Sequence, residues 1–409
     1  MRIFPECFYL KVPMMPASLL GIVPWKFIFA EHKFLQSIYR FYSNFLLGYY
    51  TLFLLTSYMN LYQVLTAANG INVDEVALNM PVTLVSSATF GKQFIIHFSR
   101  SFEGILNRII EIEKNVMAMN DKDLSKIYDK CTKNMILKSI WYLGMMCLCN
   151  LQYNLLPLVI GPIEQQVGND TILIKRFPMA LWFPVDDQEY YLIAYLYKTL
   201  NSAMAMSYLT YTDVFVFSLI VFPLGQLQIL NYMLENFETY KQKFLNSREI
   251  ADEEMAAYSV FVENILRHQE IIEYVEYFNA AMSGLMVLDF LQFSLENATI
   301  CLQAVATTSP LVIFFVCYQL AAMLLRLFMY YYYANEIIVL SNNLSNSIYN
   351  SNWYDQPPRI KVLMQIMMIR SQKKLSCTIG PFTDISLNSM IAILKATYSY
   401  AMLLYNTNS

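Results

Sequence analysis

The chain has 409 residues, 56% of them hydrophobic and 14% charged, with a mean hydropathy of +0.37 and a formal net charge of −3. This composition excludes an ordinary soluble domain of that length, and the near-neutral charge argues against a nucleic-acid partner. The first twenty residues include Pro5, Glu6, Lys11, Pro13 and Pro16 and no clean apolar block, so no cleavable leader is expected and the first apolar span would serve as the targeting signal.

Seven apolar spans follow in chain order, near 44–66, 76–98, 136–160, 191–225, 276–303, 309–334 and 382–405. Each reaches the ~17–25 residues that cross a hydrocarbon core as a helix. Long apolar runs without strict alternation mean helices rather than a barrel. The expected fold is therefore an all-α integral membrane protein with seven transmembrane helices. Basic residues crowd alternate connections: Arg2, Lys11, Lys26, Lys33 and Arg40 before the first span, seven between the second and third, four after the fourth, and five after the sixth. The intervening connections and the tail hold only Lys175 and Arg176. Cationic connections stay cytoplasmic, so the N-terminus is expected inside and the C-terminus outside, the reverse of a G-protein-coupled receptor. The expected division is a cytoplasmic segment at 1–43, spans one to four at 44–225 with an outer connection at 161–190, and a cytoplasmic extension at 226–275. Spans five and six at 276–334, a cytoplasmic segment at 335–381, and a last span with a short outer tail at 382–409 complete it.

The connection after the fourth span carries helical periodicity. Ile229, Leu230, Met233, Leu234, Phe237 and Phe244 recur on one face; after a polar break from Asn246 to Glu254, Met255, Tyr258, Phe261, Val262, Ile265 and Leu266 resume the spacing. The fourth and fifth spans are expected to continue past the membrane and pack on one another; solvated linker helices are the alternative. A basic amphipathic stretch over 359–374 reads as a membrane-surface helix or as part of the same bundle. The outer connection holds the sequon Asn169-Asp170-Thr171, a candidate glycosylation site. Asn343 and Asn297 also begin sequons, one on the inner side and one too near the membrane.

No catalytic constellation, metal spacing or cofactor motif emerges; the three histidines, His32, His97 and His268, are far apart. Ionisable residues inside spans are costly unless paired or hydrated. Asp213 and Arg326 both lie toward the inner interface and are expected to pair. Asp289 and Lys395 sit at similar depth and are expected to form a second pair, with a hydrated pore as the alternative setting for Lys395. On the last span Ala392, Ala396, Ser399, Leu403 and Asn406 share roughly one face, which suits either close helix packing or a narrow pore with a hydrophobic constriction.

The run Pro381-Phe382-Thr383, Ser386-Leu387 and Ile393 through Tyr405 resembles the signature end of insect odorant receptors. Leu266-Arg267-His268-Gln269-Glu270-Ile271-Ile272 with Tyr277-Phe278-Asn279 resembles that family's entry to the fifth span. The resemblance covers the whole chain; Ala401 departs from the aromatic residue usual after Ser-Tyr. It implies a tetrameric odorant-gated cation channel in the plasma membrane, working with a co-receptor subunit and no cofactor. The fourth connection is short, so the chain resembles an odorant-tuned subunit. The inner ends of spans four to seven would form the intersubunit anchor, and Leu403 and Asn406, with Ser399, would lie at the pore and its gate. The ligand, a small volatile of largely apolar character, would meet Thr83, Ser86, Ser87, Met146, Cys149, Asn150, Tyr153, Met204, Ser207, Tyr208, Phe315 and Tyr318. A gustatory-type channel of the same architecture is the nearest alternative. A solute transporter is disfavoured by scarce glycine, the lack of an internal repeat and the lack of a midplane helix break.

Overall fold

A computed structural model describes residues 3–66, 73–167, 170–248, 252–306 and 309–408. The described chain is a bundle of long helices: α1 (Phe8–Leu19), α2 (Lys33–Leu65), α3 (Val73–Phe98), α4 (Arg100–Ala118), α5 (Lys122–Ile160), α6 (Tyr191–Glu235), α7 (Phe237–Arg248), α8 (Glu253–Ala306), α9 (Pro310–Tyr349), α10 (Pro358–Ser371) and α11 (Leu387–Asn408). Two antiparallel hairpins interrupt it. β1 (Ile163–Val167) pairs β2 (Asp170–Ile174) with Ile163 opposite Ile174, and β3 (Thr378–Ile379) pairs β4 (Thr383–Asp384).

The seven anticipated spans fall within α2, α3, α5, α6, α8, α9 and, from Leu387 onward, α11. The seventh begins five residues later than its apolar run suggests, because residues 378–384 turn back as β3–β4. Gly380 makes that turn at φ +53, where a Cβ would lie 2.7 Å from Val287 Cγ2; only glycine combines that backbone with that approach to α8. Among the described residues α5, α6, α8 and α9 are long and apolar enough to cross a membrane on length and composition. In α6, 94% of the most apolar window is buried within the protein, against 22% to 33% in the other three. So α6 is the hub, and the others surround it with one face left apolar toward their surroundings. Trp141 and Leu158 of α5, Leu291 of α8 and Phe314 of α9 are exposed on those faces, as lipid contact requires.

Several helices run well beyond the hydrocarbon length. At 1.5 Å per residue, the 54 residues of α8 would extend about 80 Å. The polar break expected over 246–254 separates α7 from α8, and Phe237 stacks edge-on against Phe261 with centroids 6.0 Å apart. The extensions therefore pack on one another. α10 lies on the same module with two apolar faces: Ile360, Met364 and Met367 are buried, while Val362, Ile366 and Ile369 are exposed. Asn279 ties β3 to α8 by donating to Ser376 O at 2.8 Å and accepting from Thr378 N at 3.0 Å.

Two helices were not anticipated. In α4, Ser99 accepts from Phe102 N as an N-cap, and Phe102, Ile105, Leu106, Ile109, Ile112 and Val116 form one buried stripe. α1 is fixed by Glu113 on that same helix, which accepts from the Phe8 amide at 2.5 Å, the Tyr9 amide at 3.1 Å, the Cys7 thiol and the Tyr128 hydroxyl. A carboxylate at a helix N-terminus satisfies orphan amides and complements the helix dipole. α4, α7 and α10 thus gather at one end of the bundle, the α10 end, with α1 packed along α6; β1–β2 marks the other end.

Candidate functional site

The half of the bundle nearer β1–β2 holds a cavity of about 130 Å³. α2 contributes Tyr50; α3, Val82, Val85, Ser86 and Thr89; α5, Cys149 and Tyr153; α6, Ser202, Ala205, Met206 and Leu209; α8, Glu296 and Ile300; α9, Gln319 and Met323; Met179 of the connection before α6 closes it. Tyr50 is locked by a hydrogen bond to Ser86 O at 3.2 Å and by an edge contact to Tyr208 at 4.9 Å. A wider vestibule of about 480 Å³ shares Val82, Cys149, Tyr153 and Gln319 with the cavity and is bounded by Phe315, Phe177 and Arg176. The connection above it is pinned by buried Lys198, whose Nζ lies 2.7 Å from Asp187 Oδ2 and 3.7 Å from the Phe177 ring centroid.

Beneath the cavity lies a buried ionic cluster drawn from four helices. Arg326 on α9 donates to Glu296 Oε2 at 3.1 Å, to Asp213 Oδ1 at 3.1 Å and to Asp289. Lys92 on α3 donates to Asp289 Oδ1 at 3.0 Å and approaches Asp213 Oδ1 at 3.5 Å. The Tyr142 hydroxyl donates to Asp213 Oδ2 at 2.8 Å, and Gln292 Nε2 bridges Glu296 and Thr89 at 3.0 Å each. Lys92, Asp213 and Arg326 are 0%, 1% and 2% exposed, so these charges face one another rather than water.

The anticipated residues divide. Asp213 and Arg326 do meet. Asp289 does not meet Lys395: its carboxylate is taken by Arg326 and Lys92, while Lys395 lies on the exposed side of α11. Of the twelve expected ligand positions, Ser86, Cys149 and Tyr153 line the inner cavity, and Phe315 lines the vestibule with the latter two. The remaining eight line neither. Thr83 and Ser87 are turned to α2, where they bond Ser57 and Tyr58. Asn150 accepts from Asn154, and Ser207 donates to Ala203 O. Tyr208 donates to Leu20 O and Tyr318 to Met145 O. Met146 is buried and Met204 packs against the core. The Ser399 hydroxyl is spent on Lys395 O; Leu403 and Asn406 belong to α11, but their side chains, like Asn169, lie outside the described residues. Sequence reading missed Tyr50, Ser202, Gln319, Lys92 and Glu296. The last two carried a signal, since each is an ionisable residue within an apolar span.

This is a ligand-sized, mostly apolar chamber in a helical membrane bundle, and comparison with known proteins gives its class. The sequence profile described as 7tm Odorant receptor matches residues 72–398. The chain belongs to the 7tm odorant receptor family. It is 21% identical over 307 residues to odorant receptor 10 of Aedes albopictus, covering 74% of this chain and 76% of that one. It is 24% identical over 157 residues to the odorant receptor coreceptor of Anopheles gambiae, covering 37% and 32%. The fold is similar to that of the insect olfactory receptor OR5 from Machilis hrabei in complex with eugenol, with a TM-score of 0.74, 16% identity and 97% of each chain covered.

Proposed function

We propose that the chain is the odorant-tuned subunit of a ligand-gated, non-selective cation channel, assembled as a tetramer with a co-receptor subunit in the plasma membrane of a sensory neuron dendrite. The observation that carries the reading is the cavity of about 130 Å³, apolar but for a few polar groups and seated directly on the ionic cluster that joins α3, α6, α8 and α9. A small volatile gains affinity there by burial and orientation by one hydrogen bond. Contacts with Glu296 on α8 reach Arg326 on α9 directly and, through it, Asp213 on α6, whose carboxylate also meets Lys92 on α3. The N-terminus lies in the cytoplasm, since the lysine- and arginine-rich connections belong to the α10 end. α11, with Ile391, Tyr398 and Met402 exposed, lines the pore against its counterparts. The exposed Val362, Ile366 and Ile369 of α10 form the intersubunit anchor.

The test is whole-cell recording from cells expressing the chain with and without an insect odorant co-receptor. Volatile-evoked cation current only in the co-expressing cells supports the proposal. Saturable uptake without current, or full current from the chain alone, contradicts it.

A further inference from the structure

The composition of the cavity is uneven: its walls are apolar or aromatic, but its floor is Glu296. That carboxylate is 7% exposed and already receives Arg326 at Oε2 and Gln292 at Oε1, one donor per oxygen. Each carboxylate oxygen has a second lone pair to offer. Written with every group ionised, the cluster sets three carboxylates (Asp213, Asp289, Glu296) against two cations (Lys92, Arg326). The surplus is therefore one negative charge, next to a cavity that supplies no cation of its own. A second observation is independent of charge. Ser202, 1% exposed, lines the same cavity, and its Oγ has no hydrogen-bond partner within the protein. A buried hydroxyl left unpaired is costly. The aromatic rings of Tyr50 and Tyr153 complete the lining, and such rings attract cations over their faces.

We propose that this cavity selects a small aliphatic amine, its ammonium on Glu296 and its hydrocarbon against the apolar walls, with Ser202 available to a polar group of the ligand. The inference rests on the odorant-subunit reading and names its ligand class. The ammonium brings the cluster to formal neutrality, and a charge-assisted bond exceeds a neutral one. Size agrees: a cavity near 150 Å³ admits benzene, so about 130 Å³ admits about six non-hydrogen atoms. 1-Aminopentane has that count, and 1-pentanol is its neutral match.

Two readouts test this. One is co-receptor-dependent current evoked by 1-aminopentane and by 1-pentanol. The other, independent of gating, is the thermal unfolding midpoint of the purified full chain in detergent with each compound. The amine is expected to be about tenfold to a hundredfold more potent, the range of one charged hydrogen bond, and to stabilise more at equal concentration. Glu296→Gln brings the two compounds together, and Glu296→Asp, which keeps the charge, retains part of the difference. Equal potency and equal stabilisation in the unaltered protein, or a preference that survives Glu296→Gln, overturns the proposal. If Glu296→Gln does not fold, the unaltered protein and Glu296→Asp decide. Amine stabilisation without any current supports the amine site and counts against the channel reading. Currents from neutral volatiles without amine preference overturn the amine site and leave the channel reading standing.

Discussion

Replacing Arg326 by methionine tests whether the ionic cluster holds the bundle together. The guanidinium is 2% exposed and contacts Asp213, Asp289 and Glu296 on two other helices. Without it, Lys92, which reaches Asp213 and Asp289, is the cluster's remaining cation, and Glu296 loses its ion-pair partner. Breaking a buried pair by removing one partner costs about 3–5 kcal/mol. The unfolding entropy of about 2.1 cal/mol/K per residue, over 409 residues, comes to about 0.9 kcal/mol/K, so the midpoint falls by about 3–6 °C. The assay is thermal unfolding of purified protein in detergent, with surface expression in parallel. Adding Asp213→Asn restores the cluster's formal charge and should recover part of the loss, because neighbouring charges do not act additively. A midpoint within 1 °C of the unaltered protein, or losses that simply add in the double variant, refutes the reasoning.

Other expectations follow from single contacts. Ala205→Leu adds bulk inside the cavity and should weaken volatile responses by about tenfold or more at unchanged surface level, read as a shift in half-maximal concentration. Glu113→Gln cannot serve the four donors that meet the carboxylate, so the Phe8 and Tyr9 amides should exchange hydrogen about fivefold to a hundredfold faster, corresponding to about 1–3 kcal/mol. Burial, with the Arg370 charge beside it, pushes the His268 imidazole from 6.5 down to about 4. The folded state thus holds it neutral while the unfolded chain takes up a proton below 6.5, and stability is lost as pH falls from 6.5 toward 4. By pH 5 the loss should reach about 2 kcal/mol. Glu270, raised by burial, acts in the opposite sense, so the measurement is the difference between the unaltered protein and His268→Gln, which removes only the histidine's share.

The seven long helices were legible because lipid-facing segments must be apolar along their whole length, and the sequence states that directly. Their helical extensions were legible where periodicity was clean, as from Ile229 to Leu234, but not the interruption at Asn236 that divides the run from Ile229 to Phe244 between α6 and α7. α1 was hidden because Glu113, more than a hundred residues away, completes its N-terminus. α4 was hidden because its connection reads first as a charge-rich run. The site was legible only in part, since a span fixes depth but not rotation about its axis. Thr83 and Ser86 are three residues apart, yet one bonds α2 and the other lines the cavity. Pairing Asp289 with Lys395 on depth alone failed for a related reason: Lys92 and Arg326, at the same depth on other helices, take its carboxylate.

Determining the structure of the heteromeric assembly with its most effective volatile bound, and asking where ligand density lies, tests the account most directly. Density among Tyr50, Tyr153, Ser202 and Glu296 is the predicted result. Density confined to the vestibule beside Phe177 and Phe315, or at the α10 end, would contradict it.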